Sequence, residues 1–587
     1  MAQCVSVDGY FYASSKPNAP HYIYDKMVGG LVDSFLYCGN QKALDHLSRI
    51  TDWAIPNLDR TRRDGDTSTE WYTLSENLYR AYLATGERKY KQFAAVWEYP
   101  EYWNLFERRA DPFAVRPSGH KSDAYHAYSH VNTLGGAGAA YLVTGDRAYL
   151  SVLINAYDYF QKHQMFATGG YGPDEQLLPL DVLAPRLGMT HNTFETQCGT
   201  WAVFKLVKYL IAITGDARYG DWAERVAWNG LFAGIPMSAD GRVFYYSDYN
   251  SNGGAKHNNG IGWTCCTGTR PQAIADFCDL IYFHGQDGLY VNQFAPSRIR
   301  WRHGGNEVTL QQVTRFPEDG MVEMTVQTPG PKEFRLGIRK PAWLTAPVAA
   351  ELNGAPVSLT IDSANWATVR REWHNGDRLT IALPLGLTAS TLGSSSRFPA
   401  AILYGPVVLA ARAADAKFVA KLDLAHLEQS LVPVPGEVLT WRMKADPSVL
   451  LRPFYSYKEN EPYYVYLDPA AARRIPVRNI TFSGKWQEAP LIRFTNEIGA
   501  RAETTFEGTG IRWLGHRFDD AGQAEVKIDG NLVGRVSQYG PGRDLPFDWS
   551  RRNLKPGRHT IIIRLLPDKL PDSRDRYINI AGFELLE

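Results

Sequence analysis

The chain has 587 residues, enough for three or four domains at roughly 100–200 residues each. Hydrophobic residues at 44% and charged residues at 21% exclude wholesale disorder. The 63 basic and 62 acidic side chains nearly cancel, so charge gives no reason to expect nucleic acid or an anionic membrane as partner.

The opening stretch, MAQCVSVDGYFYASSKPNAPHY, has no basic segment followed by an apolar one. The expectation is therefore a cytoplasmic protein, or a periplasmic or secreted one from which a leader has been removed. No apolar run reaches the roughly 18–20 residues needed to span a bilayer. Up to about residue 295 the sequence reads helical. A phrase recurs at Gly39, Gly86, Gly145 and Gly215: an amphipathic stretch, Gly, then Asn, Glu or Asp, then a second amphipathic stretch. Gly supplies a left-handed C-cap and the polar residue starts the next helix. Intervals of about 47 to 70 residues are longer and less even than those of open solenoids, which favours a closed toroid of α-hairpins.

After Cys278 the grammar changes to short β-branched and aromatic segments such as GLYVNQFA, VTLQQVT and FRLGIRK. Pro329-Gly330, Asn353-Gly354 and Asn375-Gly376 punctuate them, which predicts β-sandwiches. The fold class expected is multidomain α+β, with a helical domain over 1–295 and a β-sandwich over 296–412. A connecting region or sandwich edge follows over 413–478, then a β jelly-roll over 479–587 that is similar to carbohydrate-binding modules. Sixteen Trp, 33 Tyr and 25 Phe exceed what a core of this size needs, and sugar-binding enzymes use such a surplus to stack on sugar rings.

Three segments carry chemistry. In HNTFETQCGTW, Glu195 and Cys198 are three apart at the start of an amphipathic helix, on one face of its turn. In GIGWTCCTGTRP, Cys265 and Cys266 lie on a Gly-rich loop, with Pro271 expected in the first turn of the following helix. Helix N-termini favour thiolates. In FATGGYGPDEQLL, a Gly-rich loop presents Asp174 and Glu175. Adjacent cysteines read either as buried small hydrophobes or as paired thiolates on a metal. Six cysteines in the chain are too few for a disulfide scaffold, and Cys4, Cys38 and Cys278 read as structural thiols. One carboxylate and three thiols suit tetrahedral zinc.

With these segments, KMVGGLVDSFLYCGN, SHVNTLGGAGAAYLVTGD and DGLYVNQFAPSRIRW carry a resemblance to the β-L-arabinofuranosidase family of glycoside hydrolases, from about Tyr22 to Arg412. The resemblance implies an N-terminal (α/α)6 barrel followed by β-sandwiches, and a zinc-dependent retaining glycosidase with a cysteine nucleophile. Matched residue by residue, it implies Glu195, Cys198, Cys265 and Cys266 as ligands of Zn2+, Cys265 as nucleophile and Glu175 as general acid/base, with Asp174 as its competitor. His130 matches a family histidine that would bond a sugar hydroxyl. Glu76 and Asn77 stand where the family's funnel often has a histidine, and Asp25-Lys26 where relatives often have His-Lys. The family places its glutamate two residues before the cysteine; here the spacing is three. Tyr246 and Tyr245 read either as funnel wall or as core, and His191 and His257 either as loop residues or as ligands. His126, a turn before His130, lacks the glutamate of a zincin, and Arg270 reads as a helix cap.

The expected function is an exo-glycoside hydrolase releasing a terminal furanose-like sugar, β-L-arabinofuranose or a relative, from an oligosaccharide or glycan. The alternatives are an (α/α)6 sugar epimerase or uronide hydrolase, which need no thiolate cluster, and a non-catalytic glycan-binding protein with a structural zinc. The oligomeric state is not legible.

Overall fold

A computed structural model of the chain describes residues 5–586, apart from 18, 61–69, 114–124, 180–182, 185, 236–240, 242, 259–264, 393–398, 415, 490–491 and 541–544. The protein is multidomain α+β, helical as far as Asp279 and built of β-sheets beyond it. Among the described residues no helix is long and apolar enough to cross a membrane.

The recurring phrase does what its residues dictate. Helices Pro20–Cys38, Leu74–Thr85, Leu134–Thr144 and Thr196–Thr214 end at Gly39, Gly86, Gly145 and Gly215, all left-handed with φ between 64° and 76°. Each glycine N–H closes the last turn, and the C-cap needs the φ that only glycine takes without cost. Asp146 and Asp216 then accept hydrogen bonds from the N–H groups of Ala148 and Arg218, starting the next helical segment. These tight turns alternate with long connections at 58–73, 108–126, 164–193 and 235–264. Pro271 departs from its expected place: helix Cys265–Asp279 begins six residues before it, so the proline sits well inside. The Gly-rich loop ahead of this helix lies outside the described residues.

Two sheets of five and six strands follow, their buried faces sharing a core that includes Leu289, Val308, Met324, Leu336 and Trp373. Strand Met321–Gln327 alternates exposed and buried positions, as a sheet with one wet face requires. The Asn353-Gly354 turn has φ of 52° and 82°, the positive pair that a two-residue hairpin demands. Within 413–478, strands Leu431–Pro433, Trp441–Met443 and Leu450–Pro453 complete a third sheet with Leu387–Thr391, Ala400–Tyr404 and Val407–Arg412. In the last module, strands Gly510–Arg517 and Gly557–Lys569 belong to different antiparallel sheets, and both feed one core through Trp513, Ile561 and Ile563. Strand Arg474–Pro476 pairs with the C-terminal strand Gly582–Leu586.

Helices and sandwich are joined by a buried charge cluster. Arg339 is fully buried, with its guanidinium on Asp221 and Glu224 and its Nε donating to the Asn292 carbonyl at 2.6 Å. Trp343 Nε1 donates to Glu224 Oε2 at 2.6 Å. Removing one partner of such a set strands the others in a medium of low polarity. Arg339→Met is expected to cost about 3–5 kcal/mol, read by calorimetry as a lower melting temperature. An unchanged melting temperature would show that the two carboxyls find other partners.

Candidate active site

The site assembles from the long connections. Strand Phe194–Glu195 pairs with Tyr246–Ser247, setting Glu195 opposite Tyr246, and helix Thr196–Thr214 starts at once so that Cys198 falls in its first turn. Helix Cys265–Asp279 packs against that helix and opens on Cys265 and Cys266. The Cys198 Sγ atom lies 3.5 Å from Cys265 Sγ and 3.7 Å from Cys266 Sγ. Glu195 Oε1 is 3.3 Å from Cys265 Sγ and 3.8 Å from Cys266 Sγ. A tetrahedral cation with bonds of about 2.3 Å to sulfur and about 2.0 Å to oxygen has S–S edges of about 3.8 Å and S–O edges of about 3.5 Å. The donor set fits that figure, and among the described residues the buried Glu195 Oε2 has no hydrogen-bond partner. At a spacing of three, Glu195 ends the strand and Cys198 lies in the first turn of the helix that begins at Thr196.

Cys198 and Cys266 are buried, whereas Cys265 is partly exposed. Burial pushes the thiols of Cys198 and Cys266 and the carboxyl of Glu195 above their usual ranges. Cys265 goes the other way: hydrogen bonds from Cys198 and Cys266, and then from the Tyr245 hydroxyl at 3.2 Å, hold it well below the usual thiol range. One accessible thiol is thus favoured as thiolate while its neighbours stay behind it. Above Cys265 is a cavity of about 300 Å³ lined by Tyr22, Lys26, Trp201, Thr269 and Gln272. Lys26 Nζ lies 4.7 Å from the Tyr22 ring centre and 5.1 Å from that of Trp201, and 3.0 Å from Asp25. Flat rings with a charged group between them suit a hydroxylated ligand.

Glu175 stands within reach of Glu195. Tyr246 donates its hydroxyl to Glu175 Oε1, and His126 Nε2 is 3.3 Å from Oε2. Burial works against ionisation here, but these two hydrogen bonds hold the Glu175 carboxyl below its usual range. The same contacts, with the charge of Glu70 added, raise the His126 imidazole against its own desolvation. A carboxyl oxygen of Glu175 lies within 4.8 Å of one of Glu195, which brings it beside the donor set.

Of the residues expected from sequence, Glu175, Glu195, Cys198, Cys265, Cys266 and Tyr246 come together. His257 stands beside them, its ring 5.4 Å from that of Tyr246 and its Nε2 3.0 Å from the His191 carbonyl. Two expectations are corrected. His130 is buried among the rings of Tyr72, Tyr99, Tyr102 and Tyr125, with Nδ1 on the His126 carbonyl at 2.8 Å, and it does not face the cavity. Glu76 is held between helices by Lys205 and Tyr209, an interior ion pair rather than a sugar contact. His191 pairs with Asp248 at 2.6 Å, and Arg270 donates to the Leu231 carbonyl at 3.0 Å. Cys38 and Cys278 are exposed free thiols rather than structural ones, and Cys4 lies outside the described residues. Sequence reasoning weighed His126 only as a metal ligand and Lys26 only as a departure from relatives, and passed over Glu70 and the cavity residues Tyr22 and Trp201. The pairing of Tyr125–His126 with Gln176–Leu177 brings His126 to Glu175, and no local motif announces it.

Two family models match: "Beta-L-arabinofuranosidase, GH127 catalytic domain" over residues 2–279 and "Beta-L-arabinofuranosidase, GH127 middle domain" over residues 288–385. A curated relative, a non-reducing end beta-L-arabinofuranosidase of Bifidobacterium longum, is 26% identical over 295 residues, which is 46% of this chain and 43% of that protein. The chain therefore matches less than half of that relative's length. The fold is similar to that of a GH127 beta-arabinofuranosidase (TM-score 0.61, 17% identity, covering 80% of this chain and 83% of that one). It is also similar to a GH127 beta-L-arabinofuranosidase from Geobacillus stearothermophilus T6 (TM-score 0.56, 17% identity, 94% and 83% covered). These matches place the chain among the glycoside hydrolases. It belongs to the GH127 β-L-arabinofuranosidase family.

Proposed function

We propose that the protein is a retaining exo-glycoside hydrolase that releases a terminal β-L-arabinofuranose, or a closely related furanose-like sugar, from an oligosaccharide or glycan. The observation that carries this reading is the partly exposed Cys265 thiol gathered with Cys198, Cys266 and Glu195 within 4.8 Å, with a carboxyl oxygen of Glu175 within 4.8 Å of one of Glu195. Glu195, Cys198, Cys265 and Cys266 would hold a zinc ion, which when bound supplies the positive charge that keeps these sulfurs deprotonated. In this reading the helical half is an (α/α)6 barrel whose cavity takes the sugar, and the last module is a jelly-roll.

The sugar enters between Tyr22, Trp201 and Lys26 with its anomeric carbon towards Cys265. The sulfur attacks that carbon as the glycosidic bond breaks, and Glu175, itself ionised, relays a proton from the His126 imidazolium to the departing oxygen. Glu175 then takes a proton from the water that attacks the same carbon, and the C–S bond breaks to return the thiolate. Two displacements retain configuration. Tyr246 and His126 hold Glu175 in place and supply hydrogen bonds through which its proton can be replaced.

A panel of p-nitrophenyl furanosides and pyranosides, assayed with and without zinc, tests the substrate. The β-L-arabinofuranoside is expected to be the best of them, and NMR of the first product should show retention. Glu175→Gln is expected to lower kcat by about 10²–10⁴-fold on a sugar leaving group. Inversion, or a wild-type rate for Glu175→Gln, would sink the mechanism.

A further inference from the structure

The turn that carries Glu175 is a costly piece of backbone. Asp174 and Glu175 are consecutive left-handed residues, with φ of 53° and 61°. Asp tolerates that region because its short side chain bonds locally, but Glu has no such excuse and would relax if released. What holds the turn is on its far side. Arg186 reaches Asp174 Oδ2 with Nε at 2.8 Å and with a terminal nitrogen at 2.6 Å, and Thr190 Oγ1 donates to Asp174 Oδ1. The Asp174 N–H donates to the Asn192 carbonyl at 2.7 Å. Both carboxylate oxygens of Asp174 are thus engaged by the segment 186–192, while the side chain of Glu175 is bonded to His126 and Tyr246. Arg186 and Asp174 line a cavity of about 190 Å³ to which Leu514, His516 and Phe518 of the last module also contribute. The ion pair is partly buried, its side chains 13% and 24% exposed.

We propose that Arg186 is a positioning residue for the acid/base: by clamping Asp174 it keeps the left-handed turn and so keeps the Glu175 carboxyl aimed at the glycosidic oxygen. The inference rests on Glu175 being the acid/base. It assigns Asp174, the rival for that role, to the clamp instead. Loss of the clamp should damage proton transfer while leaving the thiolate and the sugar cavity as they are. The two steps then respond differently to the leaving group. A disaccharide needs a proton on its departing oxygen as the C–O bond breaks, whereas p-nitrophenol leaves as the anion and needs none. Water always needs its proton removed as it displaces sulfur.

The test compares a β-L-arabinofuranosyl disaccharide with p-nitrophenyl β-L-arabinofuranoside, using the whole protein with zinc. Arg186→Ala is expected to lower kcat on the disaccharide by about 10–10²-fold with KM nearly unchanged. On the aryl substrate the same variant should show a burst of about one p-nitrophenol per site and then slow turnover, which azide speeds by attacking without a base. Arg186→Lys should recover part of the loss, since it keeps the charge but not the fork. Asp174→Asn, which keeps the shape and tolerates a left-handed φ, should give the same split if Arg186→Ala folds poorly. Loss of the p-nitrophenol burst, which would show the first step damaged equally on both substrates, or wild-type kinetics in both Arg186→Ala and Asp174→Asn, overturns the positioning role. Glu175→Gln run alongside separates the layers. If it shows the split and the clamp variants do not, only the clamp fails; if it behaves as wild type, the acid/base reading fails and the clamp with it.

Discussion

Cys265→Ser is expected to abolish turnover, with kcat lower by at least about 10³-fold, while the protein stays folded and still binds zinc. The reason is the difference between sulfur and oxygen at neutral pH. The thiol of Cys265 is held as thiolate by hydrogen bonds from Cys198, Cys266 and Tyr245, whereas a serine hydroxyl in the same place remains protonated. Cys198, Cys266 and Glu195 still offer three donors, so metal content measured by elemental analysis should fall little. Steady-state kinetics with that measurement separates loss of the nucleophile from loss of the site. Wild-type turnover in Cys265→Ser would return the protein to the second alternative, a glycan-binding protein whose zinc is a staple.

Removing zinc with a chelator is expected to cost both activity and stability, and zinc alone among common divalent ions should restore them fully. Three sulfurs and a carboxyl have been drawn to within 4.8 Å of one another inside the protein. Without a cation, burial raises Cys198, Cys266 and Glu195 and so favours their protonated forms. Binding must displace those protons, so affinity rises with pH and falls on acidification. Proton release on adding zinc to weakly buffered metal-free protein measures this directly. Zinc at a thousand times its Kd stabilises the folded state by about 4 kcal/mol, which calorimetry would read as a higher melting temperature. Full activity after exhaustive chelation would favour the epimerase or uronide-hydrolase reading.

The helical turns and the ligand set were legible because their causes are local. A glycine before a polar residue ends one helix and starts another whatever surrounds it, and Glu195 and Cys198 share a face through spacing alone. Convergence of the Cys-Cys pair on them needed the family resemblance, since 67 residues separate Cys198 from Cys265. The histidines were misjudged for a physical reason. His130 sits in the more suggestive segment, yet helices and loops some 28 to 58 residues earlier bring Tyr72, Tyr99 and Tyr102 around it. His126, one turn before, is turned towards Glu175 by a two-residue strand pairing that leaves no periodicity to read. Glu70 holds a left-handed φ of 43°, which its residue type does not suggest.

The alternation of tight glycine turns with long connections divides the labour of the helical half. Every group that would touch the sugar or its bond, save those at Tyr22, Lys26, Trp201, Thr269 and Gln272, sits on a long connection or at the helix start immediately after one. The capped turns leave no length to vary without breaking a helix end. Divergence among relatives can therefore rewrite which glycan is accepted by exchanging rim segments, while the scaffold that fixes the reaction coordinate is inherited intact.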